Sequence, residues 1–291
     1  MAFKILNAGL FSTIQDRGRY GYTHLGITTS GAMDRYAYYW SQRLLDQEIN
    51  ALELMVGLKL EVMVPTTIAI TGADLDFRIN ETPMPIWQTH TVKVGDRLSF
   101  SRRKNGVRAY LAVAGGFQAP QYYGSYATTL KEGFGARCSA GEYLYYNSTS
   151  SSIPKRLSRP YLPHYPQKEL CLRVVLGYQE KAFSPEAKAE FFSSIYRLTP
   201  QSDRMGYRLR GASISSTTQG IISEGIAYGA IQIPPDGQPI VLLNERQTIG
   251  GYPKIGSVIP TDCYRLAQLP LDGCVSFEPI SLESAQKINR R

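Results

Sequence analysis

The chain has 291 residues, enough for one large or two medium domains with a substantial core, and its 43% hydrophobic and 19% charged content is that of an ordinary globular protein. A formal net charge of +8 favours anionic partners, but the basic residues are scattered singly and in pairs such as Arg102 with Arg103, which excludes the continuous stripe of a duplex-binding protein. No apolar stretch approaches the roughly 20 residues that span a bilayer; MAFKILNAGLFST lacks a signal-peptide core, and no CxxC pair suggests zinc, so a cytoplasmic, reduced protein with no nucleic acid, membrane or metal partner is expected.

In chain order, the first informative segment is Gln15 to Tyr22, QDRGRYGY, where an acid, two arginines and two glycines fall together. Gly26 to Gly31, GITTSG, has P-loop spacing, but Ala32 and Met33 stand at the Lys and Ser/Thr positions and leave phosphate charge unmet. GAMD follows, and its Asp34 is suited to cap a helix over 35–45 with Ala37, Trp40, Ser41 and Leu44 on one face. Strand signals then dominate. TIAIT at 67–71 is β-branched, and 75–79 alternates before a turn at 80–82. The runs 97–101 and 108–113 flank Lys104, Asn105 and Gly106 and read as a hairpin on the Asn-Gly signal.

From Asn147 to Lys168 four prolines and many hydroxyl residues interrupt the pattern, which predicts an N-terminal domain over 1–146, a linker over 147–168 and a C-terminal domain over 169–291. Beyond it, Cys171 and Cys274 sit in apolar runs and read as small core residues. Ser184 followed by Pro185 starts a helix, and Ser281 opens a short terminal one. SDRMGYRL at 202–209 is a second polar cluster, containing Asp203, Arg204, Tyr207 and Arg208. The runs 230–233 and 239–243 flank PPDGQ as a hairpin, and the apolar PIVLL delivers the chain to NERQTIGGYPK at 244–254. There the adjacent Gly250 and Gly251 permit either a positive φ or a close backbone approach. Hairpins without βαβ units point to an antiparallel, barrel-like, mainly β architecture with a few short helices.

Five ordered segments, QDRGRYGYTHLGITTSGAMD, LAVAGGF, SDRMGYRL, GAIQIPPDGQPIVLL and RQTIGGYPK, resemble the KipA family, also called allophanate hydrolase subunit 2, the biotin-dependent carboxyltransferase-like family and the 5-oxoprolinase C component. The resemblance runs from about Gly9 to Phe277. It implies a pair of cyclophilin-like β-barrel domains and a protein inactive alone. Its implied partners are a KipI-like subunit (the 5-oxoprolinase B component) and a LamB/YcsF-like subunit (the A component), together forming an ATP-dependent 5-oxoprolinase that opens 5-oxo-L-proline to glutamate. Two alternatives stay open: a carboxyltransferase component of the urea carboxylase type, and a noncatalytic regulator antagonising a KipI-like kinase inhibitor. No AMKM-like biotinylation motif occurs, so biotin is not covalently attached, and ATP enters through the complex.

A lactam and a ureido group are poor electrophiles, and preorganised arginines and glycine-turn amides suit the charge that develops on their carbonyl oxygens. Motif position therefore nominates Arg204 as first choice for clamping the substrate carboxylate, with Arg17 or Arg19 second. Gln232, Gln247 and Thr248 are nominated to orient the amide, and Asp34, Glu53 or Glu245 to manage protons. Tyr207, Gly250, Gly251 and Tyr252 complete the expected substrate site, with Gly250 and Gly251 as its floor. Tyr126 and Ala127 depart from the family pattern, where arginine and a hydroxyl residue are usual after Gly124 and Ser125, and Gln42, Asp46 and Glu245 depart too; the carboxy-terminal motifs are the better kept, which weights the site toward the second domain.

Overall fold

A computed structural model describes residues 1–147, 154–218 and 220–289, and the chain divides into two compact units, 1–20 with 30–165 and 21–29 with 166–291. Part of the expected linker, 148–153, lies outside the described residues. Its later half packs on the first unit, where Leu157 and Tyr165 are buried.

In the first unit the elements are β1 (Ala2–Ala8), β2 (Ser12–Gln15), α1 (Arg35–Leu45), β3 (Ala51–Leu54), β4 (Leu58–Val62) and β5 (Thr66–Asp74). They are followed by β6 (Phe77–Ile79), β7 (Thr82–Pro83), β8 (Gln88–Val92), β9 (Arg97–Phe100), β10 (Asn105–Val113) and β11 (Tyr143–Tyr145). These strands form a six-stranded sheet, β11-β1-β4-β9-β6-β7, and a five-stranded sheet, β2-β3-β10-β5-β8. Period-2 alternation decides the layers. Leu58, Leu60 and Val62 of β4 join Ala109, Leu111 and Val113 of β10 in one core, while Tyr110 and Ala112 face the opposite way and pack with Ala37, Tyr38, Leu44 and Leu45 of α1. The five-stranded sheet is thus covered on both faces. As expected, Asp34 caps α1 by accepting a hydrogen bond from the Ala37 amide; the buried face differs slightly, since Tyr38 and Leu45 lie inside and Trp40 is half-buried.

The second unit contains β12 (Glu169–Leu176), α2 (Pro185–Ser193), β13 (Tyr196–Leu198), β14 (Gly206–Arg210), β15 (Glu224–Gly225) and β16 (Ala230–Gln232). Then come β17 (Ile240–Leu242), β18 (Ile249–Gly250), β19 (Lys254–Val258), α3 (Pro260–Leu266), β20 (Cys274–Pro279) and α4 (Leu282–Asn289). Seven strands close as a barrel in the order β12-β19-β16-β17-β14-β13-β20, while β15 and β18 pair as a separate ribbon. Ser184 caps α2 by accepting from the Ala187 amide, and Phe191 of that helix stacks on Phe277 of β20 at 4.3 Å between ring centroids.

The mainly β reading and the PPDGQ hairpin, now β16 and β17, hold in the structure. Five details differ from the sequence expectations. The first unit is built as two sheets around a shared core, and the barrel of the second contains one parallel seam, β12 with β20. The Asn-Gly segment is not a hairpin: β9 pairs with β4 and β6, whereas β10 pairs with β3 and β5, so the chain crosses between sheets at Lys104, whose amide donates to Asp74 O. Cys171 lies on the solvent side of β12 and Cys274 is half-buried, because the strand alternation turns them away from the core. The short α3 carried no capping signal, and the Ile259 side chain offers none.

The seam is clamped from beside it. Asp262 of α3, fully buried, accepts from the Arg173 amide at 2.9 Å, from Nε at 2.8 Å and from Nη2 at 2.6 Å. Removing this carboxylate leaves a guanidinium and an amide unpaired, so Asp262→Ala is expected to lower unfolding free energy by about 3 kcal/mol, read by urea denaturation; wild-type stability would show that the seam closes without the clamp. A second expectation concerns His90, whose Nε2 lies 2.8 Å from Pro85 O and whose ring meets Phe77 edge-on. Burial pushes its pKa below the ordinary 6.5, so the folded state binds fewer protons than the unfolded chain. Its stabilising contribution is full above the unfolded value and is lost as pH falls through the folded one. His90→Gln is expected to flatten the fall in melting temperature between about pH 7.5 and about pH 5, and parallel curves for the two proteins would refute it.

Candidate functional site

In the first unit, most nominated residues are committed to holding the fold. Asp34 Oδ1 accepts from the Ala37 amide at 3.0 Å and Oδ2 from the Tyr165 hydroxyl at 2.7 Å. The Asp34 amide donates to the Tyr110 hydroxyl, which in turn donates to Glu53 Oε2 at 2.6 Å. The Met33 amide reaches the same Glu53 oxygen at 2.8 Å. Burial pushes both phenols well above their ordinary range, so they remain donors at neutral pH. Asp34 and Glu53 therefore belong to a buried network, and that placement does not support their nomination for proton management.

Arg19 is also interior. Its guanidinium donates to Thr129 Oγ1 at 2.7 Å and to the carbonyls of Ala127 and Tyr122, and it lies 5.0 Å from the centroid of the Phe134 ring. Asp16 holds the same loop by accepting from the Ser125 hydroxyl and the Tyr126 amide, both at 2.7 Å. These contacts use backbone groups at 126 and 127. That is why Tyr126 and Ala127 can occupy positions where the family has other side chains without the loop losing its anchors. Arg17 alone among the first-unit arginines nominated is exposed, and it lines a 420 Å³ cavity with Asp16, Tyr20, Arg35 and Tyr38.

The second unit brings together a different set. Gln232, 1% exposed at the end of β16, and Gln247, half-buried after β17, are joined by Gln247 Nε2 donating to Gln232 Oε1 at 3.3 Å. Gln232 Nε2 and Gln247 Oε1 are buried with no hydrogen-bond partner. One donor and one acceptor are thus left over. Turning both amides over preserves this count, because a single N–H···O link between two carboxamides always leaves one NH₂ and one carbonyl. A buried polar atom without a partner costs about 1–3 kcal/mol, so two of them side by side point to a ligand with the complementary edge.

The double glycine makes room for this pair. Neither Gly250 nor Gly251 takes a positive φ, so close approach is the operative reason for glycine here. A Cβ on Gly250 would lie 2.6 Å from Ile226 Cδ1 and 2.8 Å from Gln232 Nε2. Gly251 instead accepts the Ile221 amide at 2.8 Å, and a Cβ there would meet Ile221 O at 3.2 Å. Gln232 and Gln247 open into a 350 Å³ cavity that Arg208 and Tyr252 also line.

Arg204 does not line that cavity. It is 8% exposed and donates from Nε to Glu245 Oε1 at 2.5 Å, while the Glu245 amide donates to Arg204 O at 2.9 Å. The expected clamp is therefore an ion pair fixing the turn before β14 against the segment after β17. Alternation along GYRLR explains which arginine is presented: Tyr207 and Leu209 point inward and are buried, whereas Arg208 and Arg210 are exposed. Thr248 contributes its carbonyl to the Ile226 amide at 3.1 Å and lines a separate 190 Å³ cavity with Gln247 and Thr28. Arg208 stands in the SDRMGYRL motif without being among the expected site residues, and the strand alternation was the signal that could have selected it.

Residues 25–279 match the family described as carboxyltransferase domain, subdomain A and B. The chain is 36% identical to the 5-oxoprolinase C component of Escherichia coli over 98% of its own length and 93% of that protein, and 33% identical to the Haemophilus influenzae counterpart over 99% and 94%. Among solved structures, Kluyveromyces lactis urea carboxylase aligns with a TM-score of 0.91 at 26% identity, covering 99% of this chain and 28% of that one. These homologues are components of a multi-subunit hydrolase in one case and a segment of a larger carboxylase in the other. The chain belongs to the carboxyltransferase-domain family, subdomains A and B, and is homologous to the C component of 5-oxoprolinase.

Proposed function

We propose that this chain is the amide-recognising component of an ATP-dependent 5-oxoprolinase. The observation that carries the reading is the leftover donor and acceptor of the Gln232–Gln247 pair, two residues that line the 350 Å³ cavity. A lactam places its N–H and C=O on one side of the ring, which presents one donor and one acceptor to such a pair. The free carboxamide NH₂ holds the lactam oxygen, and the free carboxamide oxygen holds the lactam N–H. Arg208 stands in the same cavity to take the substrate carboxylate, with Tyr252 beside it.

In this reading Arg204 and Glu245 are positioning residues. Their pair sets the segments that carry Arg208 and Gln247, and Gly250 keeps the space into which Gln232 turns. A donor held on the lactam oxygen stabilises charge developing there, which is the contribution this chain makes to opening an unreactive ring. ATP, when bound to the assembly, supplies the driving force. The homologous proteins work in a complex, and the KipI-like and LamB/YcsF-like chains are the partners we assign. The two compact units are proposed as its two domains, with the boundary in the 147–168 segment, and the protein as cytoplasmic; no helix among the described residues is long and apolar enough to cross a membrane.

A ureido group presents the same N–H and C=O edge, and the alignment with urea carboxylase favours a second reading as a carboxyltransferase component acting on a carboxybiotin carrier. The two separate on substrate. The chain mixed with both partner proteins is expected to release glutamate from 5-oxoproline with ATP and without biotin. A folded assembly that releases none, or that requires a biotinylated carrier, would overturn the first reading.

Within that assay, Gln232→Leu and Gln247→Leu are each expected to lower kcat/KM by about 10-fold to 100-fold, since each leaves one polar group of the lactam unpaired; unchanged kinetics in both would remove the pair from the site. Gly250→Ala is expected to raise KM, because the added methyl displaces Gln232 Nε2 or Ile226, while leaving the melting temperature within a few degrees. A melting collapse with KM intact would assign the glycine to folding alone.

A further inference from the structure

On the outer face of the second barrel three arginines share one groove. Arg197 of β13 and Arg210 of β14 are direct cross-strand partners, and Arg208 lies two residues from Arg210, so strand alternation sends all three side chains to the same, exposed side. Like charges directly opposite each other in a sheet are destabilising. No ion pair among the described residues neutralises any of the three. The only carboxylate among the described residues lining the groove, Asp236, has Oδ1 occupied by the Gln238 amide at 3.0 Å, where it holds the β16–β17 turn. The groove encloses 770 Å³ and also contains Thr199, whose hydroxyl is buried without a hydrogen-bond partner. It meets the amide cavity at Arg208, Asp236 and Ile240, which line both.

We infer that this groove binds a polyphosphate chain. Three planar guanidiniums present more donors than one carboxylate can accept, in the fork geometry that matches phosphate oxygens, and an anion between Arg197 and Arg210 converts their repulsion into attraction. The Thr199 hydroxyl supplies a further donor. Arg208 is the shared wall: it faces the amide cavity on one side and the groove on the other. The inference concerns anion binding and does not require the amide reading to be correct.

Calorimetric titration of the full chain with inorganic tripolyphosphate and with ATP tests it. One tripolyphosphate is expected to bind per chain, with affinity falling as salt is raised. Arg197→Gln and Arg210→Gln are each expected to weaken it about tenfold. The lysine variants at the same positions keep the charge without the fork and are expected to fall between, which keeps the test decisive if a glutamine variant folds poorly. ATP binding tighter than tripolyphosphate assigns the chain to a nucleotide, and equal affinities assign it to the phosphates alone. Gln232→Leu is expected to lose 5-oxoproline binding yet titrate tripolyphosphate as wild type, so the two sites fail separately. Absence of binding, or wild-type affinity in all four arginine variants, overturns the inference; so does loss of association with the partner proteins in those variants while tripolyphosphate still binds, which makes the groove a protein interface.

Discussion

Closure of the second barrel depends on one strand serving two neighbours. β12 runs antiparallel to β19 on one side and parallel to β20 on the other, so the last strand of the barrel must return in the same direction as the first. A parallel neighbour cannot be reached by a tight turn, and its hydrogen bonds are slanted and slightly weaker per residue. The structure meets this with α3, which carries Asp262 to the side of the seam and joins Arg173 of β12 through both its backbone and its side chain. Hydrogen bonds from a guanidinium to a carboxylate are stronger than neutral ones, and the buried carboxylate raises the pKa of Arg173 further above its ordinary value. With the seam shut, neither β12 nor β20 has a free edge, while β16, paired with β17 and β19, carries Gln232 buried at its end.

That interior placement is what gives the glutamine pair its chemical meaning. An exposed carboxamide satisfies itself with water, and its orientation carries no information. Gln232 is buried, its partner Gln247 arrives from the segment fixed by the Arg204–Glu245 pair, and Gly250 leaves the volume that any other side chain would fill. Three elements of the family motifs, SDRMGYRL, GAIQIPPDGQPIVLL and RQTIGGYPK, thus contribute to one cavity by different means: one supplies the positioning ion pair and Arg208, one the buried amide, and one the second amide with the space beside it. The first unit uses comparable motifs differently. There Asp16 and Arg19 tie a loop through backbone groups, and Asp34 and Glu53 sit in a chain of hydrogen bonds through Tyr110 and Tyr165.

Much of this was legible where the signal is local. Asp34 before α1 and Ser184 with Pro185 before α2 announce their helices because a capping hydrogen bond spans only three residues. The β16–β17 hairpin was readable from PPDGQ for the same reason. The Asn-Gly segment at 105–106 failed because its turn chemistry is compatible with more than one partner, and β10 found β3 and β5 rather than the strand before it. Arg204 and Arg208 could not be ranked from composition, since both stand in one short motif. Their fates differ because one lies in the turn opposite Glu245 and the other on the outward side of a strand. Cys171 and Cys274 failed similarly: apolar neighbours in sequence alternate with them across the strand and do not surround them.

The amino-acid sequence by itself determined the mainly β class, the principal helix starts, the hairpin that carries Gln232 and membership of the carboxyltransferase-domain family, because capping, turn chemistry and motif order are properties of contiguous residues. Tertiary structure decided which polar groups remain available. That Arg204 is neutralised while Arg208 is presented, that Arg197 faces Arg210, that Gln232 and Gln247 share one hydrogen bond and leave one donor and one acceptor, and that Gly250 serves proximity and not positive φ all depend on strand register and on contacts between distant segments. A shift of one residue in register turns every side chain of a strand to its other face, so no local pattern could have settled them.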